Sequence, residues 1–562
     1  MASSDVWHSS IWRDRSSAPT LKKGSSSPRT KQDFAMASDG NAYCRSRKCV
    51  GTLLVPLLLV GVHCSFADAS NAHAQSTFMR PTTQTPSVQV QNTPGIIGTN
   101  ESTAYPLKVS TNNRYLVDQN NVAFLMVGDS PQALIGNLSP MEAAFFIENR
   151  RRYGINALWI NLLCNDGTAC NADGTTFDGI APFTTANDLS TPNPAYFDRA
   201  DVAINLAAAN GMVVILAPIE TIGWLRTLRA NGIDKAFAYG QYLGNRYKNF
   251  PNIIWMHGND FQSWKDATDT ALVQAVARGI RTADSNHIHT VELNFFTSGS
   301  LEDQSWAPLI ELNAAYSYFP TYAQVLTEYN RSNFKPVFMV EANYEFEHNT
   351  GTDGGYTQNL RRQEYWTMLS GATGQLYGSA YSWRLHKGWE SNLDTPGVIQ
   401  LSYMKNLFAS KKWYDLIPDQ TNIVVTAGYD RLSCLAGMAM TYAGKSVNYG
   451  GTAPNLMERA LARLRKHSGV GSITNSTCAT TARTSDGSLV MSYLPAVRTI
   501  TVDMSKLAST ATARWYDPTN GEYANIDGSP FANLGSRNFT PPGNNSSGDG
   551  DWVLVLETSA AR

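Results

Sequence analysis

The stretch "NIIWMHGNDF", residues 252–261, is a run of apolar side chains that stops at His257, Gly258, Asn259 and Asp260. A second run, "PVFMVEANYE" at 336–345, stops in the same way on Glu341. Short, continuously apolar runs read as strands covered on both faces, the pattern of a parallel sheet buried under helices. Working outward, the same kind of run appears as "VAFLMVG" from Val122, "ALWINLL", "MVVILAPI", "HTVELNF", "LNAAYSYF" and "GQLYGSAYSW". The segments between them carry helix punctuation. "SPMEAAFFIENRRRYG" offers Ser139 as N-cap, Pro140 at the first helical position, Glu142 to complete a capping box, and Gly154 as a stop. "NPAYFDRADVAINLAAANG" repeats the scheme with Asn193, Pro194 and Gly211. Eight strands joined by helices predict a (β/α)8 TIM barrel. An open doubly wound sheet shares this alternation, but no G-x-G-x-x-G follows the first strand and no P-loop occurs in the region.

The flanks add a leader and a second domain. With 562 residues, 43% hydrophobic and 16% charged, the chain can build more than one core, and its net charge of -1 argues against nucleic acid or an anionic membrane as the main partner. Within residues 1–74, Arg45, Arg47 and Lys48 precede an apolar run that ends near Val62 and is followed by "ADA" and "AHA". This is the layout of a secretory signal, and the run is shorter than the roughly 20 residues that span a bilayer. The expected product is secreted or periplasmic, with no membrane span after signal removal. Residues 75–104, rich in Thr, Ser, Pro, Gln and Asn, read as a linker, and 105–415 as the barrel. Beyond "LFASKKWYDLIPD" the runs become short and turn-separated: "NIVVTAG", "CLAGMAMTYAG", "SLVMSYLP", "RTITVDMS", "TATARWYDPTNGEY" and "DWVLVLET" predict a smaller all-β sandwich over 416–562. Cleavage after Ala69 or Ala74 leaves Cys164, Cys170, Cys434 and Cys478, an even number in an oxidising compartment. Proximity within each domain pairs Cys164 with Cys170 and Cys434 with Cys478.

In a barrel of this kind, polar residues just after the strands converge on one mouth. Asp260 follows the fourth strand and Glu341 the seventh. Two carboxyls facing across a cleft suit cleavage of a glycosidic bond, in which one gives a proton to the leaving oxygen and the other attacks the anomeric carbon or activates water. Asp260 then needs a raised pKa, supplied by burial and by Glu341. Each acid alone has a plainer alternative, a helix N-cap for Asp260 and a buried ion pair for Glu341. Around them, Asn259 is placed to hold a sugar hydroxyl, and His257 either orients the acid or satisfies a backbone carbonyl. Tyr316 and Tyr318 sit where they can bond Glu341 or simply fill the core, while Trp264 and Trp383 offer flat faces to a sugar or pack under loops. Glu345 is a rival for the role of Glu341, and Glu292 is a third carboxyl, read as a hydrogen-bonding neighbour. Asp166, Asp173 and Asp178 do not match calcium-loop spacing and read as turn residues. No metal or cofactor is expected.

Asn followed by an acid at strand four, with Glu ending strand seven, resembles the large clan of retaining (β/α)8 glycosidases. That clan usually has Asn-Glu, whereas Asn259-Asp260 is similar to the apiosidase-like glycoside hydrolases, whose general acid is Asp. "LMVGDSPQAL" around Asp129, "YGINALWINLL" and "GNDF" follow in the family's order, and the resemblance runs from about Tyr105 through the C-terminal domain. It implies Asp260 as acid/base, Glu341 as nucleophile, Asp129 and Asn161 near the sugar, and a plant or microbial oligo- or polysaccharide as substrate. "WYDPTNGEY" is similar to a collagen-binding-like domain that accompanies such barrels. The alternative is an exported, non-catalytic polysaccharide-binding protein on the same barrel, against which the presence of both carboxyls counts.

Overall fold

The computed structural model describes residues 103–347, 355–448 and 471–558. The signal expected over 1–74 and nearly all of the linker expected over 75–104 lie outside the described residues. Eight parallel strands form the barrel: β1 Met126–Asp129, β2 Ala157–Asn161, β3 Val213–Ala217, β4 Ile253–Phe261, β5 Ile288–Leu293, β6 Asn313–Ser317, β7 Val337–Glu341 and β8 Gly374–Tyr377. Their hydrogen-bonded order, β5-β4-β3-β2-β1-β8-β7-β6, makes a ring that is continuous except between β5 and β6. Ser300 spans that gap, its hydroxyl donating to the Val291 carbonyl at 2.6 Å and accepting from the Ala314 amide at 2.8 Å. The eight-fold strand-helix alternation also lapses there. A short antiparallel strand, Thr297–Gly299, and two 3-10 turns replace the helix expected after β5.

Elsewhere the helices form where the capping signals place them. Ser139 and Glu142 close a capping box before α1 (Pro140–Arg152), the hydroxyl accepting from the Glu142 amide and the carboxylate from the Ser139 amide. Such a cap contributes about 1 kcal/mol. Asn193 caps α2 (Pro194–Ala209). Gly154 and Gly211, at φ of +74° and +72°, follow the two helices in a conformation that glycine adopts without strain. The other long helices are α3 (Thr221–Tyr247), α4 (Ala267–Ala283), α5 (Thr321–Tyr329), α6 (Thr357–Leu369), α7 (Pro396–Ala409) and α8 (Arg431–Asn448), with a single turn, Leu134–Asn137, ahead of α1.

Side chains alternate along each strand between two apolar layers. Trp159, Ile215, Ile254, Met256 and Phe338 fill the barrel interior, whereas Leu158, Val214, Trp255 and Val291 face the helices. This alternation decides which strand-end polar residues enter the mouth.

Beyond the barrel, a six-stranded sheet built on Leu489–Leu494 and Trp552–Thr558 and a three-stranded sheet built on Ile500–Asp503 enclose a core that includes Val490, Val502, Phe539 and Leu554. "CLAGMAMTYAG", expected as a strand, lies instead in α8. Asp430 accepts from the Ser433 amide at its start, and the Ala, Leu and Met that follow favour helix. Helix α6 meets the sandwich through buried groups. Arg361 pairs with Asp551 at 2.8 Å and with Asp549 at 2.6 Å, the ring of Tyr365 stacks on Tyr493 at 5.0 Å, and the Trp366 indole donates to the Cys478 carbonyl. Disulfides join Cys164 to Cys170 in the loop after β2, and Cys434 in α8 to Cys478. Among the described residues no helix is long and apolar enough to cross a membrane.

Candidate active site

Both strands that present the paired carboxyls carry bulges. On β4, Gly258 pairs with Glu292 and Phe261 with Leu293, so Asn259 and Asp260 are two extra residues looped out of the ladder. Gly258, Asn259 and Asp260 all adopt left-handed backbone, with φ of +102°, +79° and +49°. A non-glycine residue held there costs on the order of 1–3 kcal/mol, a strain that concentrates at functional sites. Gly258 is also needed for clearance, since a Cβ would fall 2.1 Å from the Glu292 carbonyl oxygen. On β7, Met339 pairs with Ala315 but Glu341 with Tyr316, so Val340 is one residue too many. Phe338 and Val340 face the interior, and simple alternation would turn Glu341 out toward the helices. The bulge puts Glu341 on the inner side with Val340.

Glu341 is held by three phenols. The hydroxyls of Tyr316 and Tyr318 donate to one carboxylate oxygen at 2.6 and 2.5 Å, and Tyr344 donates to the other at 3.0 Å. Burial pushes Asp260 up to about 7, and burial with the charge of Asp260 pushes Glu341 up to about 8, far from the ordinary carboxylate value near 4. The three hydroxyls favour the ionised form at Glu341, while at Asp260 only Tyr316 opposes the rise.

The other sequence-derived candidates divide. Asn161 lies at the inner end of β2, its carbonyl oxygen taking the Trp159 indole proton at 3.2 Å and its amide nitrogen without a partner among the described residues. Asn259 is buried beside Asp260, with its side-chain oxygen likewise unpartnered. Tyr318 bonds Glu341 as described. Trp383 is half-buried in the loop after β8, its indole donating to Glu347 at 2.6 Å, and Trp264 is half-buried in the turn after β4.

Three candidates do not reach the mouth. Asp129, expected near the sugar, shares the outer face of β1 with Val127, where it forms a fully buried ion pair with Arg150 at 2.6 Å and accepts from Ser382 and the Ser130 amide. His257 shares the helix-facing side of β4 with Trp255, stacked against His289 and Trp306. Burial pushes its pKa down to about 3, so it is neutral and turned away from Asp260. Glu345 accepts from Tyr377 at 2.5 Å, Thr395 at 2.6 Å and the Gly397 amide at 2.9 Å, which spends its oxygens on the start of α7.

Some residues escaped the sequence reading. Tyr344 was signalled only by its place three residues after Glu341. Glu220, just beyond β3, is buried, accepts from the Gly223 amide at the start of α3, and is pushed up to about 7 by burial. A cavity of about 640 Å³ opens over Asn259 and Asp260, with Gln262, Lys265, Arg229 and Phe295 in its walls.

Comparison with known proteins fits this geometry. No curated protein matches the sequence. A solved structure described as "Glycoside hydrolase" is 22% identical, superposes with a TM-score of 0.65, and is matched over 82% of this chain and 98% of its own. A glycoside hydrolase family 5 structure from Bacteroides vulgatus is 21% identical, with a TM-score of 0.64 over 81% of this chain and 94% of its own. At these identities the likeness establishes the fold. Residues 470–557 match the family described as "Putative collagen-binding domain of a collagenase". Residues 110–415 match the family described as "Apiosidase-like, catalytic domain". That single match takes in more than half of the 562 residues and both bulged strands, and the chain belongs to the apiosidase-like glycoside hydrolases.

Proposed function

We propose that this enzyme is an exported, retaining glycoside hydrolase acting on a plant or microbial oligo- or polysaccharide, with Glu341 as nucleophile and Asp260 as acid/base. The observation that carries this reading is the asymmetric pair itself: one carboxyl gripped by three hydroxyls that favour its ionised form, beside a second whose pKa burial raises to about 7. Glu341 attacks the anomeric carbon as the glycosidic bond breaks and the Asp260 proton passes to the leaving oxygen. Water then attacks the glycosyl ester, Asp260 takes its proton, and Glu341 is released ionised. The cavity over Asp260 has polar walls that suit a hydroxyl-rich substrate. Apiose-containing pectic side chains and arabinose-type glycans are the first substrates to try.

Residues 105–415 form the catalytic domain in this proposal, and the sandwich over 416–562 supports it. Export rests on the signal layout within residues 1–74 and agrees with the two disulfides. The decisive experiment uses Glu341→Ala with azide and a 4-nitrophenyl glycoside that the wild type cleaves. A double-displacement nucleophile predicts rescue by azide with a glycosyl azide of inverted configuration, and wild-type hydrolysis that first releases the retained anomer by NMR. An inverted first anomer, or full activity in Glu341→Ala, would refute the assignment.

A further inference from the structure

We propose that Glu292 is a sugar-binding residue of this site, forming hydrogen bonds with a hydroxyl of the sugar that reacts at Glu341, and that with Asn161 and Asn259 it sets which sugar is accepted. The inference rests on the reading of Asp260 and Glu341 as the reacting pair. Ile288 faces the barrel interior and Val291 and Leu293 face the helices, so alternation along β5 turns Glu292 inward at the mouth end. There it is 1% exposed. Neither of its carboxyl oxygens has a hydrogen-bond partner that meets ordinary geometry among the described residues. Its backbone pairs with Gly258, two residues before Asp260, and burial together with Glu341 and Asp260 pushes it well above the usual carboxylate range. A carboxyl raised in this way offers lone pairs to a ligand and, once protonated, a proton as well.

A buried carboxyl with a purely structural task is paired, as Asp129 and Glu345 are. Glu292 is not. Its unpartnered oxygens join the unpartnered Asn161 amide nitrogen and Asn259 oxygen, so the inner ends of β2, β4 and β5 together offer both donors and acceptors with no protein group to meet them. A sugar ring, with a hydroxyl on nearly every carbon, is the chemical class that meets such an arc. A polar group left unmade at a buried site is costly, and it gives strong discrimination once a ligand completes it.

The test compares wild type, Glu292→Ala and Glu292→Gln on the 4-nitrophenyl glycoside that the wild type cleaves fastest and on its monodeoxy analogues. The expected result is a loss of about 10- to 100-fold in kcat/KM for Glu292→Ala, the range of one buried hydrogen bond, with much of it restored in Glu292→Gln, which keeps a donor and an acceptor. One deoxy position should penalise the wild type but not Glu292→Ala, because the partner of that hydroxyl is already gone. The thermal midpoint of Glu292→Ala should equal or exceed that of wild type. A lowered midpoint with equal losses on every deoxy substrate, or unchanged kcat/KM, would overturn the inference while leaving the reacting pair intact. Wild-type rates in Asp260→Ala and Glu341→Ala would overturn both.

Discussion

The two sides of the barrel mouth are built on opposite principles. On the β6–β7 side every oxygen of Glu341 has a phenolic partner, and one bulge suffices to aim it. On the β4–β5 side three consecutive residues are left-handed, and Asn259 and Glu292 have unpartnered oxygens. A nucleophile gains from being fixed in place and from donors that keep it ionised. A proton donor gains from a poorly solvated setting that holds its proton until the leaving oxygen arrives. The difference between the sides is thus a division of labour, written in hydrogen bonds.

Breaking the contrast outright has the largest expected effect. Glu341→Ala should lower kcat by more than about 10³-fold, whereas Asp260→Ala should lose about 10²–10⁴-fold on natural glycans and much less on 4-nitrophenyl glycosides, whose leaving group needs little protonation. Steady-state kinetics on both substrate types separates the two. Equal losses on both for Asp260→Ala would contradict the proton-donor assignment.

Weakening one side should have a smaller effect. Tyr316→Phe and Tyr318→Phe each remove a hydrogen bond to a charged group, worth about 1.5–3 kcal/mol, or about 10- to 100-fold in kcat. Loss of a donor raises the pKa of Glu341, so the acidic limb of the rate profile should move to higher pH. The wild-type limbs themselves should fall near the pair's values of about 7 and about 8, with activity greatest between them. A profile centred near pH 4 to 5 would show that the buried pair is not what titrates.

The same shifts predict stability. A carboxyl whose folded pKa is raised binds protons more tightly in the folded state, so its contribution is fully present below the unfolded pKa near 4 and is lost as pH rises through about 8. Glu341→Gln should therefore melt higher than wild type at about pH 9 and show little of that gain at about pH 4. The smallest expected change is for His257→Asn. Its effect should fall on stability, with the pH profile of the remaining activity unmoved, because the ring is already neutral and faces the helices.

The barrel was legible because its strands are short apolar runs and its helices are punctuated, as Ser139, Glu142 and Asn193 show. The carboxyl pair was legible because each apolar run breaks at an acidic position, Glu341 in one and Asn259-Asp260 in the other. The facing of the strand-end residues was not. A strand covered on both sides is apolar on both sides, so it carries no mark of which parity points inward, and nothing in it could correct the family resemblance that put Asp129 near the sugar or the adjacency that put His257 beside the acid. Nor does the sequence announce the extra residue at Val340, although without it Glu341 would face away. Glu345 was undecidable locally because its partners, Thr395 and Gly397, are about fifty residues downstream.

The Arg361 contact with Asp549 and Asp551 has a consequence for how the molecule comes apart. The guanidinium belongs to a helix that also lines the barrel, yet its counter-charges come from the loop ahead of Trp552–Thr558, a strand of the sandwich. Replacing Asp551 with Ala would leave a sealed-in cation with only Asp549 and Gln400 to meet it, a loss of up to about 3–5 kcal/mol, comparable to a large fraction of the net stability of a domain. Barrel and sandwich then share one melting transition, and the catalytic half is not a separable module but depends on the chain's final residues to stay folded.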